Sequence, residues 1–93
     1  MLQKNFLVLY DEDKTAQLCG YPLALSPLEF DLLYAIADAT LIDAAGLCEC
    51  LHRACSLTSL PVHVHAINKK AIALCGRKLI ASTTEGYAIH MQM

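Results

Sequence analysis

The sequence feature that most restricts the fold is a helix start at residues 26–29, which read Ser-Pro-Leu-Glu. A serine N-cap followed three residues later by glutamate forms a capping box, in which each side chain accepts a hydrogen bond from the backbone of the other. Pro27 takes the first helical position, where its missing N–H costs nothing. Apolar residues then recur at helical spacing: Leu28, Leu32, Leu33 and Ile36. The pattern predicts an amphipathic helix that runs to about Ala39.

The chain before this helix has the pattern of a small antiparallel sheet. Strand-forming residues occupy Phe6–Tyr10, and a second strand is predicted at Thr15–Cys19 after the polar turn at residues 11–14. Gly20 marks another turn, and the following Tyr21–Leu25 is suited to a third strand. We therefore expect three short strands that pair as neighbours.

Two more helices are predicted after the first. Asp43 is a suitable N-cap for a helix from Ala44 to about Leu51, and Ser59 is suitable for a third helix over residues 60–75. Gly76 follows as a typical C-terminal residue. In the third helix, apolar residues recur at spacings of four and three, which predicts a buried stripe. Its members are Leu60, Val64, Ile67, Ala71 and Leu74.

The last segment is predicted to be a β-hairpin, with strands at Lys78–Ser82 and Tyr87–Met91 joined through residues 83–86. Strands, three helices and a hairpin in this order predict an α+β winged helix-turn-helix in a single domain of residues 1–93. In such a domain the third helix enters a major groove of DNA and the hairpin of residues 78–91 is the wing.

The charges of the chain are divided unevenly along its length. Residues 1–50 carry two lysines against eight carboxylates, a net charge of -6, whereas residues 51–93 carry five basic residues against Glu85, a net charge of +4. A basic C-terminal half indicates a polyanionic partner at that end of the molecule.

Composition excludes several other classes of protein. The chain of 93 residues is 56% hydrophobic and 17% charged, which is not the composition of a disordered segment. No apolar run approaches the roughly 18 residues of a membrane span, and the N-terminus lacks the layout of a signal peptide. The cysteines number five, an odd count that favours free thiols in a reducing compartment over a disulfide framework. The expected location is the cytoplasm.

The sequence gives little support to a metal site or an enzyme. Cys48, Cys50, His52 and Cys55 cluster, but they lack the paired spacing of structural zinc sites. There is no glycine-rich phosphate loop and no local signature of a nucleophile with its base. We therefore expect no metal, no cofactor and no catalytic residues.

Three segments resemble a known family of DNA-binding domains. Residues 25–33, Leu-Ser-Pro-Leu-Glu-Phe-Asp-Leu-Leu, resemble the Leu-Thr-Pro-x-Glu-Phe-x-Leu-Leu signature that opens the first helix of OmpR/PhoB-type effector domains. Residues 63–71, His-Val-His-Ala-Ile-Asn-Lys-Lys-Ala, resemble the recognition helix of that family, and residues 85–89, Glu-Gly-Tyr-Ala-Ile, resemble the end of its wing. The first of these motifs is the most specific, and together they follow the family's order over essentially the whole chain.

This resemblance implies a DNA-binding output domain of a bacterial response regulator in a two-component system. A receiver domain normally precedes such a domain, so the chain would be the C-terminal half of a longer two-domain regulator. The implied partners are double-stranded DNA, a second copy of the chain on direct-repeat sites, and RNA polymerase. The chain departs from the family at Asn68 and in the wing at Thr83 or Thr84, where arginine is usual, and at Ala71, where leucine is usual.

The candidate site residues come from the third helix and the segments around it. On a helical wheel, His65 and Lys69 lie opposite the buried stripe. Candidates for contacts to base edges or thymine methyl groups are His65, Asn68, Lys69, Val62 and Ala66. Candidates for phosphate contacts are Arg53, Lys70, Arg77, Lys78, Thr83 and Thr84.

A second hypothesis stays open at this point. The outer side of the third helix also carries apolar residues, Val62, Ala66, Ile72 and Ala73. Such a surface could bind protein instead of DNA. The chain would then be a degenerate winged helix that serves as an interaction or dimerisation module. The lysine pair at residues 69–70 favours DNA, and the missing arginines favour a protein partner.

Overall fold

The computed structural model describes residues 1–4, 6–39, 41–51 and 56–89. The N-terminal part is a four-stranded antiparallel sheet in sequential order, β1 to β4. Its strands are β1 (Leu2–Lys4), β2 (Leu7–Tyr10), β3 (Thr15–Leu18) and β4 (Tyr21–Leu23). Three of these strands were predicted. β1 was not, because its residues Leu-Gln-Lys carry no strand signal and depend on pairing with β2, where Gln3 faces Val8.

The first two helices begin at the predicted caps. In α1 (Pro27–Asp38), the N–H of Glu29 donates to Ser26 Oγ over 3.2 Å and the N–H of Ser26 donates to Glu29 Oε1 over 2.9 Å, which completes the capping box. In α2 (Ala44–Cys50), Asp43 accepts a hydrogen bond of 2.7 Å from the N–H of Gly46. Each cap satisfies helix N–H groups that otherwise have no intrahelical partner.

The third helix, α3 (Leu60–Cys75), has the predicted range, but one detail at each end differs. Ser59 has helical φ and ψ of -90° and -15°, and its hydroxyl donates to the carbonyl oxygen of Ser56 instead of capping α3. At the other end Leu74 is 37% exposed, and Cys75 packs against the core in its place. With 3.6 residues per turn, the next buried position after Ala71 falls between residues 74 and 75. The sequence pattern alone therefore does not show which of the two is buried.

The wing is a hairpin of β5 (Ile80–Thr83) and β6 (Gly86–Ile89), joined by a turn of two residues. It begins two residues later than predicted, and residues 90 and 91 lie outside the described part of the chain. The hairpin is also tied to the connection between α1 and α2. The N–H of Ile42 donates to the carbonyl of Tyr87 over 3.1 Å, and the N–H of Tyr87 donates back over 2.7 Å.

One core lies between the sheet, the helices and the base of the wing. The sheet contributes alternate residues such as Leu7, Leu9 and Leu18, all at most 1% exposed. The helices contribute Leu32 and Ile67, and the wing contributes residues 79 and 80. This layering confirms the predicted α+β winged helix-turn-helix. Among the described residues, no helix is both long and apolar enough to cross a membrane.

Candidate nucleic-acid interface

The core stripe of α3 leaves its opposite side exposed. The exposed residues on that side include Val62, His65, Lys69 and Ile72, which recur at spacings of three and four. Ala66 lies beside them and is half-buried. Because residues three or four apart are neighbours on a helix, these side chains form one continuous strip along α3. We call this strip of Val62, His65, Lys69 and Ile72 the outer face of α3.

The outer face meets the base of the wing at a shallow pocket of about 300 Å³. The pocket is lined by His65, Asn68, Lys69, Ile72 and Lys78. Lys69 and Lys78 are both exposed, so the structure brings together two cations that are nine positions apart in the sequence. A histidine ring and two ammonium groups beside an exposed helix can offer hydrogen-bond donors to an anionic partner.

Asn68 has a role that the sequence did not predict. It is 9% exposed, and its amide oxygen accepts hydrogen bonds from the N–H groups of Leu79 and Ile80 over 3.0 and 2.8 Å. Its amide nitrogen donates to the carbonyl of Ile80 over 3.0 Å. These hydrogen bonds engage the amide in joining α3 to the wing, and the predicted base contact of Asn68 stays a prediction. Its place beside Val64, four residues earlier, was the only sequence signal for this role.

Lys70 is also directed into the protein. Its ammonium donates to Glu29 Oε1, the atom that closes the capping box of α1. The side chain of Glu29 is 9% exposed and that of Lys70 is 41% exposed. Lys70 thus forms an ion pair between α1 and α3, and its predicted phosphate contact stays a prediction. No sequence pattern predicted this ion pair, since its two residues are 41 positions apart.

The ion pair sets the ionisation of Glu29. Burial raises the pKa of this carboxyl, but the hydrogen bonds from Lys70 and Ser26 and the positive charge of Lys70 outweigh burial and leave the pKa below its usual value. A carboxyl whose pKa is lower in the folded state stabilises the fold at pH values above its unfolded pKa. That stabilisation is lost as the pH falls through the folded pKa.

We expect the substitution Glu29→Gln to lower the free energy of unfolding by about 1–2 kcal/mol at pH 7, since it removes a charge-assisted hydrogen bond. Glutamine retains the capping geometry. Below its folded pKa the wild-type carboxyl is also neutral, so the difference in stability between the two proteins should shrink as the pH falls through the acid range. Urea unfolding from pH 7 to pH 3 measures this difference, with Glu12→Gln in an exposed turn as the control. A difference that stays constant over this pH range would contradict the assignment.

The wing and its flanks hold the remaining predicted phosphate contacts. The hydroxyl of Thr83 donates to the carbonyl of Gly86 over 3.1 Å and accepts from the N–H of Glu85 over 3.2 Å. It is thus engaged within the turn, and its predicted phosphate contact stays a prediction. Thr84 is exposed in the turn, next to Glu85. Arg77 and Lys78 are exposed between α3 and β5. Arg53 lies outside the described residues.

A second pocket, of about 370 Å³, lies away from the outer face of α3. Its lining includes Phe30, Tyr34 and the ion pair of Lys14 with Asp31, in which Lys14 Nζ is 3.2 Å from Asp31 Oδ1. Among the described residues that line this pocket, the one cation, Lys14, is paired with a carboxylate. Within the described ranges, no three histidine, cysteine or acidic side chains could hold one metal ion. His52 and Cys55 of the predicted cluster lie outside those ranges.

Comparison with known proteins gives matches in structure only. No family model and no curated protein sequence matches the chain. Among solved structures, a streptococcal protein from a family of redox sensors evolved from two-component response regulators superposes with a TM-score of 0.85 at 18% identity, over 99% of this chain and 42% of that one. The DNA-binding domain of CpxR from E. coli gives a TM-score of 0.76 at 23% identity, over 95% of this chain and 93% of that domain.

The chain has the fold of the OmpR/PhoB-type DNA-binding domains of response regulators. The RstA DNA-binding domain of Klebsiella pneumoniae, solved in complex with the RstA box, is a further match with a TM-score of 0.76 at 22% identity, over 95% of this chain and 94% of that domain. The chain spans about two fifths of the length of the streptococcal protein, and nearly all of the two isolated domains. The predicted winged-helix resemblance is thus confirmed for the fold.

Proposed function

We propose that this chain binds duplex DNA in a sequence-specific manner and regulates transcription, with α3 in the major groove and the β5–β6 hairpin as the wing. The observation that carries the proposal is the outer face of α3, which projects away from the core and places His65 and Lys69 beside Lys78. An α-helix with its side chains is about 10–12 Å wide, which matches a major groove of about 12 Å. The 16 residues of α3 extend about 24 Å, enough to cross the groove.

Each part of the interface has a distinct task in this proposal. Lys69 donates to guanine O6 and N7, and His65 reads a neighbouring base edge. Val62 and Ala66 contact thymine methyl groups. Four residues outside the helix contact phosphates and set the register of the domain on the duplex. They are the positively charged Arg53, Arg77 and Lys78, and the neutral Thr84. We leave Asn68, Lys70 and Thr83 out of this set, because their polar groups already form hydrogen bonds within the protein.

The substitution Lys78→Ala should flatten the salt dependence of binding. The slope of log K against log salt concentration should change by about 0.9, the value for one phosphate contact. Lys69→Ala should weaken binding to the preferred sequence by about 1–3 kcal/mol and reduce discrimination against other sequences. Fluorescence anisotropy on a sequence selected from a random duplex pool, titrated at several salt concentrations, measures both effects.

Lys14→Ala is the matched control, since it removes the same charge from the second pocket, away from α3. We expect it to change neither the slope nor the sequence preference. Equal effects of Lys14→Ala and Lys78→Ala would mean that binding follows net charge alone. The absence of binding even at low salt would count against the proposal as a whole.

The second candidate function is a protein-interaction or dimerisation module. The observation in its favour is the exposure of large apolar side chains on α3, since Val62 is 67% exposed and Ile72 is 46% exposed. If DNA binding is absent, sedimentation of the wild type and of Val62→Asp distinguishes this module from an inert domain. Self-association that this substitution abolishes would support the module.

The wider role is part of the same proposal. In a longer regulator this chain would be the C-terminal output half behind a receiver domain, working in the cytoplasm as a homodimer on direct repeats. The streptococcal protein, of which the chain spans 42%, is one example of a longer chain that contains this fold. The carboxylates of the β2–β3 turn give the sheet an acidic edge, which is a candidate surface for RNA polymerase or a receiver.

A further inference from the structure

Lys70 lies on the flank of α3 that is turned away from the wing. Asn68 marks the opposite flank, because its amide is hydrogen-bonded to the first residues of the wing. Lys69, between them in sequence, lies on the outer face of α3. Since successive residues are about 100° apart around a helix, Asn68 and Lys70 project to the two sides of Lys69. A helix that presents Lys69 to a major groove therefore presents Lys70 to one of the two phosphate backbones that border the groove.

In the folded protein, however, Lys70 is bound to the first turn of α1. The ammonium of Lys70 donates to Glu29 Oε1, which also accepts a hydrogen bond of 2.9 Å from the N–H of Ser26. The N–H of Glu29 donates in turn to Ser26 Oγ over 3.2 Å. The capping box thus fixes the carboxylate of Glu29 at the start of α1, and this carboxylate holds the lysine toward α1.

The burial of Glu29 makes it costly for Lys70 to exchange this partner for a phosphate. The side chain of Glu29 is 9% exposed, whereas that of Lys70 is 41% exposed. If Lys70 turned to the DNA, a nearly buried carboxylate would lose its counter-ion, which is strongly destabilising. The carboxyl stays charged at neutral pH: burial raises its pKa, but the hydrogen bonds from Lys70 and Ser26 outweigh burial and leave the pKa below its usual value.

We propose that Glu29 limits the affinity of this domain for DNA by holding Lys70 away from the phosphate backbone. This role depends on the proposed DNA binding and adds a residue that sets its strength. Phosphate contacts carry no sequence information, so the withheld charge lowers the affinity for all sequences alike. Removal of the carboxylate should release Lys70 and add one phosphate contact. DNA binding should then tighten in a variant whose fold is less stable, a combination that a purely structural ion pair does not produce.

The test is the salt dependence of DNA binding by the full chain with Glu29→Gln, which keeps the capping geometry and removes the charge that holds Lys70. Fluorescence anisotropy on the duplex selected for the wild type gives the affinity. The slope of log K against log salt concentration should become steeper by about 0.9, the value for one phosphate contact. Between about 50 and 200 mM salt, the variant should therefore lose about three- to fourfold more affinity than the wild type. A constant unfolded fraction shifts log K equally at every salt concentration and leaves the slope unchanged.

Three further variants separate the release of Lys70 from a general change of charge. Lys70→Gln alone should leave the slope at the wild-type value, since Lys70 makes no phosphate contact while Glu29 holds it. The double variant with Glu29→Gln and Lys70→Gln should return the slope to the wild-type value, because the released cation is gone. Glu12→Gln is the matched control, since it removes the same charge from an exposed turn, and it should leave the slope unchanged.

The proposal is overturned if the slope of Glu29→Gln equals that of the wild type, or if the double variant or Glu12→Gln shows the same steeper slope. It is also overturned if Lys70→Gln alone flattens the slope by about 0.9, because Lys70 would then already contact a phosphate in the wild type. If Glu29→Gln does not fold, this last comparison decides, and an unchanged slope supports the proposal. A wild type that does not bind DNA contradicts the proposed function as well, whereas a wild type that binds, with an unchanged slope in Glu29→Gln, contradicts the role of Glu29 alone.

Discussion

Replacing Gly86 with alanine is expected to lower the free energy of unfolding by about 3 kcal/mol or more, from overpacking together with backbone strain. Gly86 has a φ of +143°, a conformation that residues with a Cβ rarely adopt. An added Cβ would lie 2.4 Å from the carbonyl oxygen of Ile42 and 2.8 Å from the Cα of Asp43. These atoms are backbone, so they cannot move aside without breaking the bridge between Ile42 and Tyr87.

Gly76→Ala separates the two causes of this effect. Gly76 also has a positive φ, +75°, but nothing lies within 4 Å of the position of its added Cβ. This substitution should cost only about 1–2 kcal/mol, the penalty for a left-handed backbone alone. Equilibrium urea unfolding of both variants gives the comparison. Equal losses would show that close packing of the wing against the α1–α2 connection does not contribute to stability.

The helices were predictable because their signals are local. The capping box at Ser26 and Glu29, the cap at Asp43 and the terminator Gly76 each act within four residues, and the structure confirms all three. The stripe of α3 followed from a fixed helical period, except at Leu74. In contrast, the residues of β1 have no local strand-forming pattern. They form a strand because they pair with the edge of β2.

The candidate site was less predictable, because exposure of a polar side chain depends on contacts distant in sequence. A wheel could place His65 and Lys69 on the outer face of α3, since their direction follows from the helix alone. It could not detect the ion pair between Lys70 and Glu29, nor the hydroxyl of Thr83 bound within the wing turn. Each of these residues has a polar group that can bind phosphate when free, and only the tertiary structure reveals that it is engaged.

The two roles assigned to Asn68, a base contact from the sequence and a link to the wing from the structure, predict opposite effects of the substitution Asn68→Ala. If it contacts bases, Asn68→Ala should leave the fold stable and weaken DNA binding. If it joins α3 to the wing, the same substitution should lower the free energy of unfolding by about 3 kcal/mol. It would leave buried groups of Leu79 and Ile80 without their partner, at about 1–3 kcal/mol each, partly offset by water that reaches the site.

Urea unfolding of Asn68→Ala tests this expectation, together with hydrogen exchange at the amides of Leu79 and Ile80. These two amides should lose protection in the variant, because their acceptor is gone. His65→Ala is the control on the same helix. Its side chain is exposed, so it should change stability by less than about 0.5 kcal/mol while weakening the proposed DNA binding.

The comparison of Asn68→Ala with His65→Ala also shows how the wing is oriented. The side-chain amide of Asn68 forms three hydrogen bonds with the backbone of Leu79 and Ile80 at the start of the wing. We therefore expect α3 and the hairpin to move as one rigid body. DNA affinity in Asn68→Ala should then fall even under conditions where the protein is still folded, since α3 and Lys78 are no longer held in one arrangement. Full stability with normal protection at Leu79 and Ile80 would restore Asn68 to the outer surface as a base contact.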